Sequence, residues 1–542
     1  MTMKEVSITV RDGTHIAAAI YAPDGSGRFP ALLAASPYRY DNNALPAGPQ
    51  FLWRETGPID FYVKQGYAYV HMDVRGSGRS GGRFELLGPN EQNDLYDAIQ
   101  WIAGQPWSSG KVGGLGQSYF CMAQWWMGIV KPPALACLGA YDGLNDLYRA
   151  SCYQGGIPGQ FFPGYWWNQN RIINRFPANG AEPRWQETDL DALLSAHPTF
   201  DDFWRGRCAA ERLHEIEVPL YSIGIWGKID LHTRGNIKGF QLAKGPKKLQ
   251  MRGPPNAWAA NAEFNGPELH EKVLLPFYDR FLKGKETDWD KRAPVEYFVR
   301  GANVFRTADT WPPAGVQYKS WFLAPDQSAS VTSLNDGSLS TRQASGPQST
   351  TYAYPNPGWV SGVVGFGPSG PPNWDPARRV LTFTTPPLEK DLEIAGPIKL
   401  VLYASSTARD TDFVIKLSEQ YPQSPDDRGK GVNPNFQVVT KGWLRASHRA
   451  IDEKRSTEME PYFTHAKPEP LKPGEVYRFD ISIEPNAFQF KKGNRIRLEI
   501  VNGDSPITDV LWTHYYQPNK IGQDTLWHSA RYPSALILPV HE

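Results

Sequence analysis

A strand-to-helix joint that carries a serine is the feature that most constrains how this chain can fold. A short apolar run, broken by glycines, ends at Gly116-Gln117-Ser118, and a helix-compatible stretch begins at once with Tyr119. A serine on such a tight turn holds its hydroxyl out of the sheet, and the next backbone amide points at the same space. The layout is typical of a nucleophile elbow, although the usual pattern has glycine where this chain has Phe120. We therefore predict that Ser118 is a nucleophile.

Length and composition set the frame for that prediction. The chain has 542 residues, which is too many for one core, so two or three domains are expected. A net charge of +1 gives no electrostatic case for binding nucleic acid or a membrane surface. We expect a small-molecule substrate as the partner, and a homo-oligomer stays open.

Cysteine usage and the N-terminus bear on cofactors and location. The chain has 4 cysteines, which are too scattered for a disulfide framework or a zinc site, so neither a metal nor a cofactor is expected. No apolar segment follows the initial Met-Thr-Met-Lys-Glu, so no signal peptide is expected. No apolar run is long enough to span a bilayer, and a cytoplasmic location is expected.

The first half of the chain alternates between strand-like and helix-like segments. This alternation predicts an α/β fold with a mostly parallel sheet and helices on both faces. The rhythm fails in the middle, where the composition favours an inserted helical cap. The predicted units are an α/β domain over 1–145 and 216–300 and a cap over 146–215. The strand-like runs are 6–10, 16–21, 31–35, 67–72, 134–139, 219–225 and 248–252, and the helical ones are 91–103 and 268–282.

The predicted cap is rich in aromatic residues. Phe161, Trp166 and Trp167 lie in one short stretch, and we predict that they line a substrate pocket. The alternative is that they only dock the cap onto the sheet.

The second half has a different texture, with short β-rich runs separated by turns rich in Pro, Gly and Asp. This pattern predicts an antiparallel β-sandwich over 316–542, arranged as a jelly roll. Residues 341–376 are rich in Pro, Gly and Ser and are predicted to form an irregular loop rather than a strand.

Several segments together resemble one family. Gly116-Gln-Ser-Tyr119 is similar to the elbow of the cocaine esterase and X-Pro dipeptidyl-peptidase superfamily of serine hydrolases, which usually has glycine where this chain has Cys121. That family has an α/β-hydrolase domain with a helical cap, followed by a C-terminal jelly roll. Further similar segments, in the family's order, are 36–38, 73–80, 227–235, 277–284, 383–389, 442–447 and 533–539.

The resemblance implies roles for individual residues. Ser118 would be the nucleophile and Asp230 the acid of the relay, with the Tyr119 amide and the Tyr38 hydroxyl as the oxyanion hole. Tyr40 competes with Tyr38 for its role, and Asp230 has an alternative role as a helix N-cap.

The family's catalytic histidine has no match at its usual place. The family pattern Gly-Pro-Trp-x-His aligns with Gly253-Pro-Pro-Asn-Ala257, and alanine cannot accept a proton. We predict His270 as the base, because the first turn of a helix starting near Glu268 would keep its imidazole neutral. His232, two residues after Asp230, is the alternative.

These observations predict a serine hydrolase that cleaves an ester or amide bond of a small apolar or aromatic acyl substrate. Because Ala257 replaces the expected histidine, two alternatives stay open. One is changed chemistry on the same fold, as in an acyl transferase, lyase or cyclase. The other is an inactive binding protein, or a variant made inactive by replacement of a histidine at position 257. A carbohydrate-active enzyme ranks lower, since no paired carboxylates stand out.

Overall fold

The computed structural model describes residues 2–45, 54–175, 188–346, 348–355, 376–503, 514 and 517–541. Twelve of the described strands belong to the first part of the chain. They are β1 (Thr2–Thr9), β2 (His15–Ala22), β3 (Phe29–Ser36), β4 (Ala68–Asp73), β5 (Ser108–Gln117), β6 (Leu135–Tyr141), β7 (Tyr153–Gln154), β8 (Ile157–Pro158), β9 (Leu220–Ile225), β10 (Lys247–Arg252), β11 (Val295–Val299) and β12 (Val304–Ala308).

Ten of these strands form one sheet in the order β1-β2-β4-β3-β5-β6-β9-β10-β11-β12, while β7 and β8 form a separate hairpin. The run from β4 to β11 is parallel, and antiparallel strands lie at both edges. The central strands are buried on both faces, as expected for a sheet covered by helices. The predicted α/β sheet is therefore confirmed, and it extends past residue 300 to the end of β12.

Helices cover this sheet and fill the connection between β6 and β9. The predicted helix 268–282 is present as α9 (Pro267–Leu269), a π-helical turn (His270–Leu274) and α10 (Leu275–Leu282) in direct succession. The segment of the predicted cap holds α4 (Trp167–Arg175), α5 (Leu190–Ser195), α6 (Asp202–Arg205) and the hairpin. The α-helices are α1 (Ile59–Lys64), α2 (Pro89–Ala103), α3 (Tyr119–Ile129), α4 (Trp167–Arg175), α5 (Leu190–Ser195), α6 (Asp202–Arg205), α7 (Thr233–Leu242), α8 (Ala257–Asn265), α9 (Pro267–Leu269), α10 (Leu275–Leu282) and α11 (Pro425–Gly429).

The second part of the chain is a β domain with its own hydrophobic core. Nine of its strands close on themselves, because β23 pairs with both β13 and β17. The jelly-roll topology stays a prediction. The strands are β13 (Gln317–Ala324), β14 (Gly337–Ser340), β15 (Ser349–Tyr354), β16 (Leu381–Thr384), β17 (Leu392–Ser406), β18 (Asp412–Gln420), β19 (Phe436–Arg445), β20 (Tyr477–Phe490), β21 (Arg495–Val501), β22 (Gly522–Trp527) and β23 (Ala535–Val540).

One secondary-structure prediction is wrong in this domain. Residues 349–354 form strand β15, which pairs with β22, although the segment 341–376 was expected to be an irregular loop. The threonine and tyrosine residues of this strand suit a pleated surface, and pairing with β22 outweighs the surrounding Pro and Gly. Residues 356–375 of the predicted loop lie outside the described residues.

The two parts meet beside the carboxyl ends of the parallel strands. Lys441 on β19 pairs with Asp230 after β9 at 2.8 Å, and Arg234 pairs with Glu484 on β20 at 2.8 Å. The β domain thus borders the edge where an α/β sheet presents its functional loops. Among the described residues, no helix is long and apolar enough to cross a membrane.

Candidate active site

The joint between β5 and α3 places Ser118 at the tip of a strained turn. Ser118 has φ 60° and ψ −118°, in the left-handed region that residues with side chains avoid. Gly116 has φ 134°, and a Cβ there would lie 2.3 Å from the Cβ of Phe120, so only glycine fits. This is the local geometry of a nucleophile elbow, at the place where the sequence predicts it.

Two backbone hydrogen bonds hold the turn in place. The Gln117 amide donates to the carbonyl of Glu55 at 3.0 Å, and the Ser118 amide donates to the carbonyl of Asp142 at 2.9 Å. Glu55 comes from the connection between β3 and α1, and Asp142 follows β6. The elbow is therefore fixed from two sides by loops that are distant in the sequence.

A glycine on a neighbouring loop accommodates the departure at position 121. A Cβ added to Gly143 would lie 2.5 Å from the Cβ and 2.6 Å from the Sγ of Cys121. Cys121 occupies the position where the family usually has glycine, and Gly143 leaves it the space that it needs. The cysteine side chain in the helix is thus accommodated by the absence of a side chain at Gly143 in the loop.

Tyr38 lies next to the elbow with its hydroxyl oriented by Trp166. The indole Nε1–H of Trp166 donates to the Tyr38 oxygen at 3.0 Å, and a side-chain hydrogen bond joins Tyr38 to Ser118. Because the oxygen accepts from the indole, the O–H proton of Tyr38 points elsewhere and can serve an oxyanion beside Ser118. Burial and the nearby Glu55 raise the pKa of Tyr38 well above its ordinary value, so it keeps that proton.

The second predicted oxyanion donor is the amide of Tyr119. This residue opens α3, where the first backbone amides have no partner within the helix. Its ring stacks on Trp166 with centroids 6.0 Å apart, and its hydroxyl donates to the buried Glu91 at 2.7 Å. The Tyr119 side chain is therefore anchored, and the role of its amide as an oxyanion donor stays a prediction.

The other predicted site residues lie at different distances from the elbow. Trp166 borders it through Tyr38 and Tyr119. Trp167 is buried and stacks on Phe84, and Phe161 stacks on Tyr165. The contacts of Trp167 and Phe161 are those of packing, and their role in substrate binding stays a prediction. Tyr40, the competitor of Tyr38, donates its amide to Asp73 and has no described contact with Ser118.

Asp230 lies on the predicted loop after β9, with an incomplete set of partners. Its Oδ2 accepts from Lys441 at 2.8 Å, whereas its Oδ1 is buried without a hydrogen-bond partner among the described residues. Its loop packs tightly on the loop after β10, since a Cβ at Gly227 would lie 2.4 Å from the carbonyl oxygen of Pro254. The two loops that carry the acid and the histidine in the family are thus adjacent in this chain. Because position 257 is alanine, the loop after β10 offers no base there.

The structure does not bring His270 to Ser118. The Nε2–H of His270 donates to the carbonyl of Phe264 at 2.5 Å, and the Tyr62 hydroxyl donates to Nδ1 at 2.7 Å. A carbonyl can only accept, so this assignment makes the ring neutral with its lone pair occupied. Burial lowers the pKa of His270 to about 4. Both nitrogens serve packing, because the ring is fully enclosed between α1 and α8, and the predicted base has no geometry for its role.

Sequence reasoning missed a buried charge cluster below the elbow. Asp142 accepts from Lys228 at 2.7 Å, from Gln117 at 2.7 Å and from Nδ1 of His232 at 2.9 Å. Burial alone would raise the pKa of Asp142, but Lys228 and His232 outweigh it and hold the pKa well below its ordinary value. His232 therefore donates to a fixed carboxylate, and no described hydrogen bond joins it to Ser118. The only signal of this cluster in the sequence is that Asp142 and His232 lie after strands of the sheet.

Sequence reasoning also missed Glu55, the acidic side chain next to the nucleophile. Its side chain makes a hydrogen bond with Ser118, and its Oε2 is buried without a partner among the described residues. Burial raises the pKa of Glu55 to about 8. No local pattern marks this residue, because it lies in an irregular connection far from the elbow in the sequence.

The comparisons with known proteins agree with this geometry. Residues 12–254 match the X-Pro dipeptidyl-peptidase (S15) family, and residues 287–537 match the C-terminal non-catalytic domain of X-Pro dipeptidyl-peptidases. Cocaine esterase from Rhodococcus sp. is 25% identical over 602 residues, which cover 99% of this chain and 98% of that protein. The crystal structure of a CocE/NonD family hydrolase from Staphylococcus aureus superposes with a TM-score of 0.82 at 25% identity, covering 100% of this chain and 93% of the other.

The chain belongs to the cocaine esterase and X-Pro dipeptidyl-peptidase superfamily of serine hydrolases. Within this superfamily, the chain has the elbow serine, the aspartate after β9 and the tyrosine after β3. It differs at Ala257 and at Cys121. The resemblance drawn from the sequence is confirmed, and the superfamily supports hydrolysis of an ester or peptide bond.

The fit between Cys121 and Gly143 yields a stability prediction. Gly143→Ala should lower the free energy of unfolding by about 1–3 kcal/mol, because the new methyl group overlaps Cys121. Urea unfolding followed by tryptophan fluorescence measures the change. In the double variant Cys121→Gly/Gly143→Ala the two losses should be less than additive, since the overlap is gone. Strict additivity would contradict the packing explanation.

Proposed function

We propose that this protein is a serine esterase that hydrolyses esters of small apolar or aromatic acyl groups through an acyl-enzyme on Ser118. The single observation that carries the proposal is the strained elbow at Ser118, with φ 60°, beside the buried hydroxyl of Tyr38. The proposal includes a small-molecule substrate and a cytoplasmic location, both expected from the sequence. An amide substrate is the alternative within the same chemistry.

Each group has a task in the proposed acyl transfer. Ser118 attacks the ester carbonyl, and the negative charge that develops on the carbonyl oxygen is stabilised by Tyr38 and the Tyr119 amide. Trp166 supports this step from a distance, because its indole fixes the direction of the Tyr38 proton. The elbow strain keeps the serine hydroxyl in the attacking position without a rearrangement during the reaction.

The surroundings of Tyr38 support a small acyl group. A cavity of about 90 Å³ lies beside Tyr38 and Phe120. Its walls combine aromatic and apolar side chains with polar and charged ones. The first group includes Tyr21, Tyr40, His71 and Ile59, and the second is Arg39, Asn42, Asn43, Arg54 and Thr56. The aromatic part of these walls suits an apolar or aromatic group of modest size.

A fluorophosphonate probe tests the nucleophile and the oxyanion hole together. We expect the probe to add one adduct to the protein, seen by intact mass, and Ser118→Ala to abolish it. Tyr38→Phe keeps the ring but removes the O–H donor, so turnover of p-nitrophenyl acetate should fall about 10²- to 10³-fold. Folded wild-type protein that neither labels nor hydrolyses the ester would contradict the proposal and favour the inactive or changed-chemistry alternative.

Placing a histidine at position 257 tests whether Asp230 can support a catalytic base there. Ala257→His should increase kcat/KM for the same ester by about tenfold or more above about pH 6.5, where a histidine is neutral and can accept a proton. The physical reason is that the unpaired Oδ1 of Asp230 can accept from the new imidazole.

The matched control for this test is Ala257→Gln, which is of similar size but is not a base. It should give no gain, and Asp230→Asn should remove the gain in the double variant. An equal gain with glutamine, or a gain that persists without Asp230, would contradict the role assigned to this pair.

A further inference from the structure

We propose that Glu55 is the general base that activates Ser118, in the place of the histidine that the chain lacks at position 257. This inference rests on the proposed serine esterase function. Glu55 is a base candidate because a side-chain hydrogen bond joins it directly to the nucleophile, which holds for no histidine among the described residues.

The backbone fixes Glu55 at the elbow. Its carbonyl accepts from the Gln117 amide at 3.0 Å, so the residue is tied to the position just before the nucleophile. The residue is only 4% exposed. Its side chain has a hydrogen bond with Ser118, while Oε2 is buried and has no described partner. A general base must be within hydrogen-bond reach of the proton that it accepts. Hydrogen bonds from other donors would stabilise the ionised carboxyl and make it a weaker base, and Oε2 has no such donor among the described residues.

Burial and the charges around Glu55 together place its pKa in the pH range where an esterase works. Burial is the largest effect and raises its pKa to about 8, with Asp142 acting in the same direction. Lys228 and the hydrogen bond from Ser118 act in the opposite direction. Tyr38, the other titratable group beside Ser118, stays protonated. A carboxyl that titrates near pH 8 can accept and return a proton under ordinary conditions, whereas one with an ordinary pKa is too weak a base.

The two histidines near the relay positions are occupied. His270 spends both nitrogens on Tyr62 and Phe264. His232 donates to Asp142, whose carboxylate is also held by Lys228 and Gln117. Of these groups, only Glu55 has a hydrogen bond with the nucleophile.

The proton balance of the reaction closes with Glu55 alone. The ionised carboxyl takes the Ser118 proton as the Oγ–carbon bond forms, and the protonated carboxyl then gives that proton to the departing alcohol as the ester C–O bond breaks. In deacylation, Glu55 takes a proton from the attacking water. The proton returns to Ser118 when the acyl–Oγ bond breaks and the carboxylic acid leaves.

The test compares the pH dependence of fluorophosphonate labelling in the wild type and in Glu55→Gln. The wild-type rate should rise with pH through about pH 8, because only the ionised form accepts a proton. Glu55→Gln keeps the shape but cannot accept it, so labelling should slow by about 10²- to 10⁴-fold and lose this rise. Glu91→Gln is the matched control, since burial also raises the pKa of Glu91 to about 8, and it should keep the rise.

Chemical rescue separates a base from a structural side chain. In folded Glu55→Ala, verified by circular dichroism, added formate should restore labelling in proportion to its concentration, because it can occupy the vacated space as a carboxylate. Labelling of Glu55→Gln at the wild-type rate with the same pH profile would overturn the assignment and leave the esterase function intact, and so would absence of rescue in folded Glu55→Ala. Absence of labelling in the folded wild type would overturn both proposals.

Discussion

The amides of Gln117 and Ser118 donate to carbonyls from two distant loops, and the rest of the site depends on this pair of hydrogen bonds. A serine with positive φ costs about 1–3 kcal/mol, and one hydrogen bond contributes about 0.5–1.5 kcal/mol, so two bonds are of the size needed to offset the strain. The same bonds bring Glu55 and Asp142 to the nucleophile. The elbow thus assembles its own electrostatic surroundings, because the residues that support its backbone also supply the nearest carboxyl groups.

Asp142 and Glu55 lie at the elbow and Asp230 lies on the loop after β9, and the partners of these three buried carboxyl groups give them different properties. Asp142 has Lys228, His232 and Gln117 as donors and is a fixed anion. Asp230 has Lys441 on one oxygen and nothing described on the other. Glu55 has the Ser118 hydroxyl as its one side-chain hydrogen-bond partner among the described residues, and burial dominates its titration. The number of donors therefore decides which group stabilises the fold and which can exchange a proton, since each donor stabilises the ionised form.

The parts of the site that the sequence predicts are those encoded by local pattern. Gly116 and Ser118 stand in one short segment, and the order of strands and helices already implies a parallel sheet whose carboxyl ends gather Tyr38, Ser118 and Asp230. His270 shows where this reasoning fails, because its position in a helix says nothing about the partners that its ring meets in the folded core. Glu55 could not be found at all, since its place beside Ser118 results from an irregular connection and a tertiary hydrogen bond.

The unpaired oxygen of Glu55 bears on whether the site is active or a remnant. A buried polar atom without a partner costs about 1–3 kcal/mol, and here it belongs to a carboxyl group beside the nucleophile. A structural role would be better served by a glutamine or by an apolar side chain. Trp166 contributes a second argument. Its indole orients the Tyr38 hydroxyl, and packing alone would not need that hydroxyl, since a phenylalanine at position 38 would fill the same space. Both features are understandable if a substrate carbonyl and a moving proton occupy the space between them.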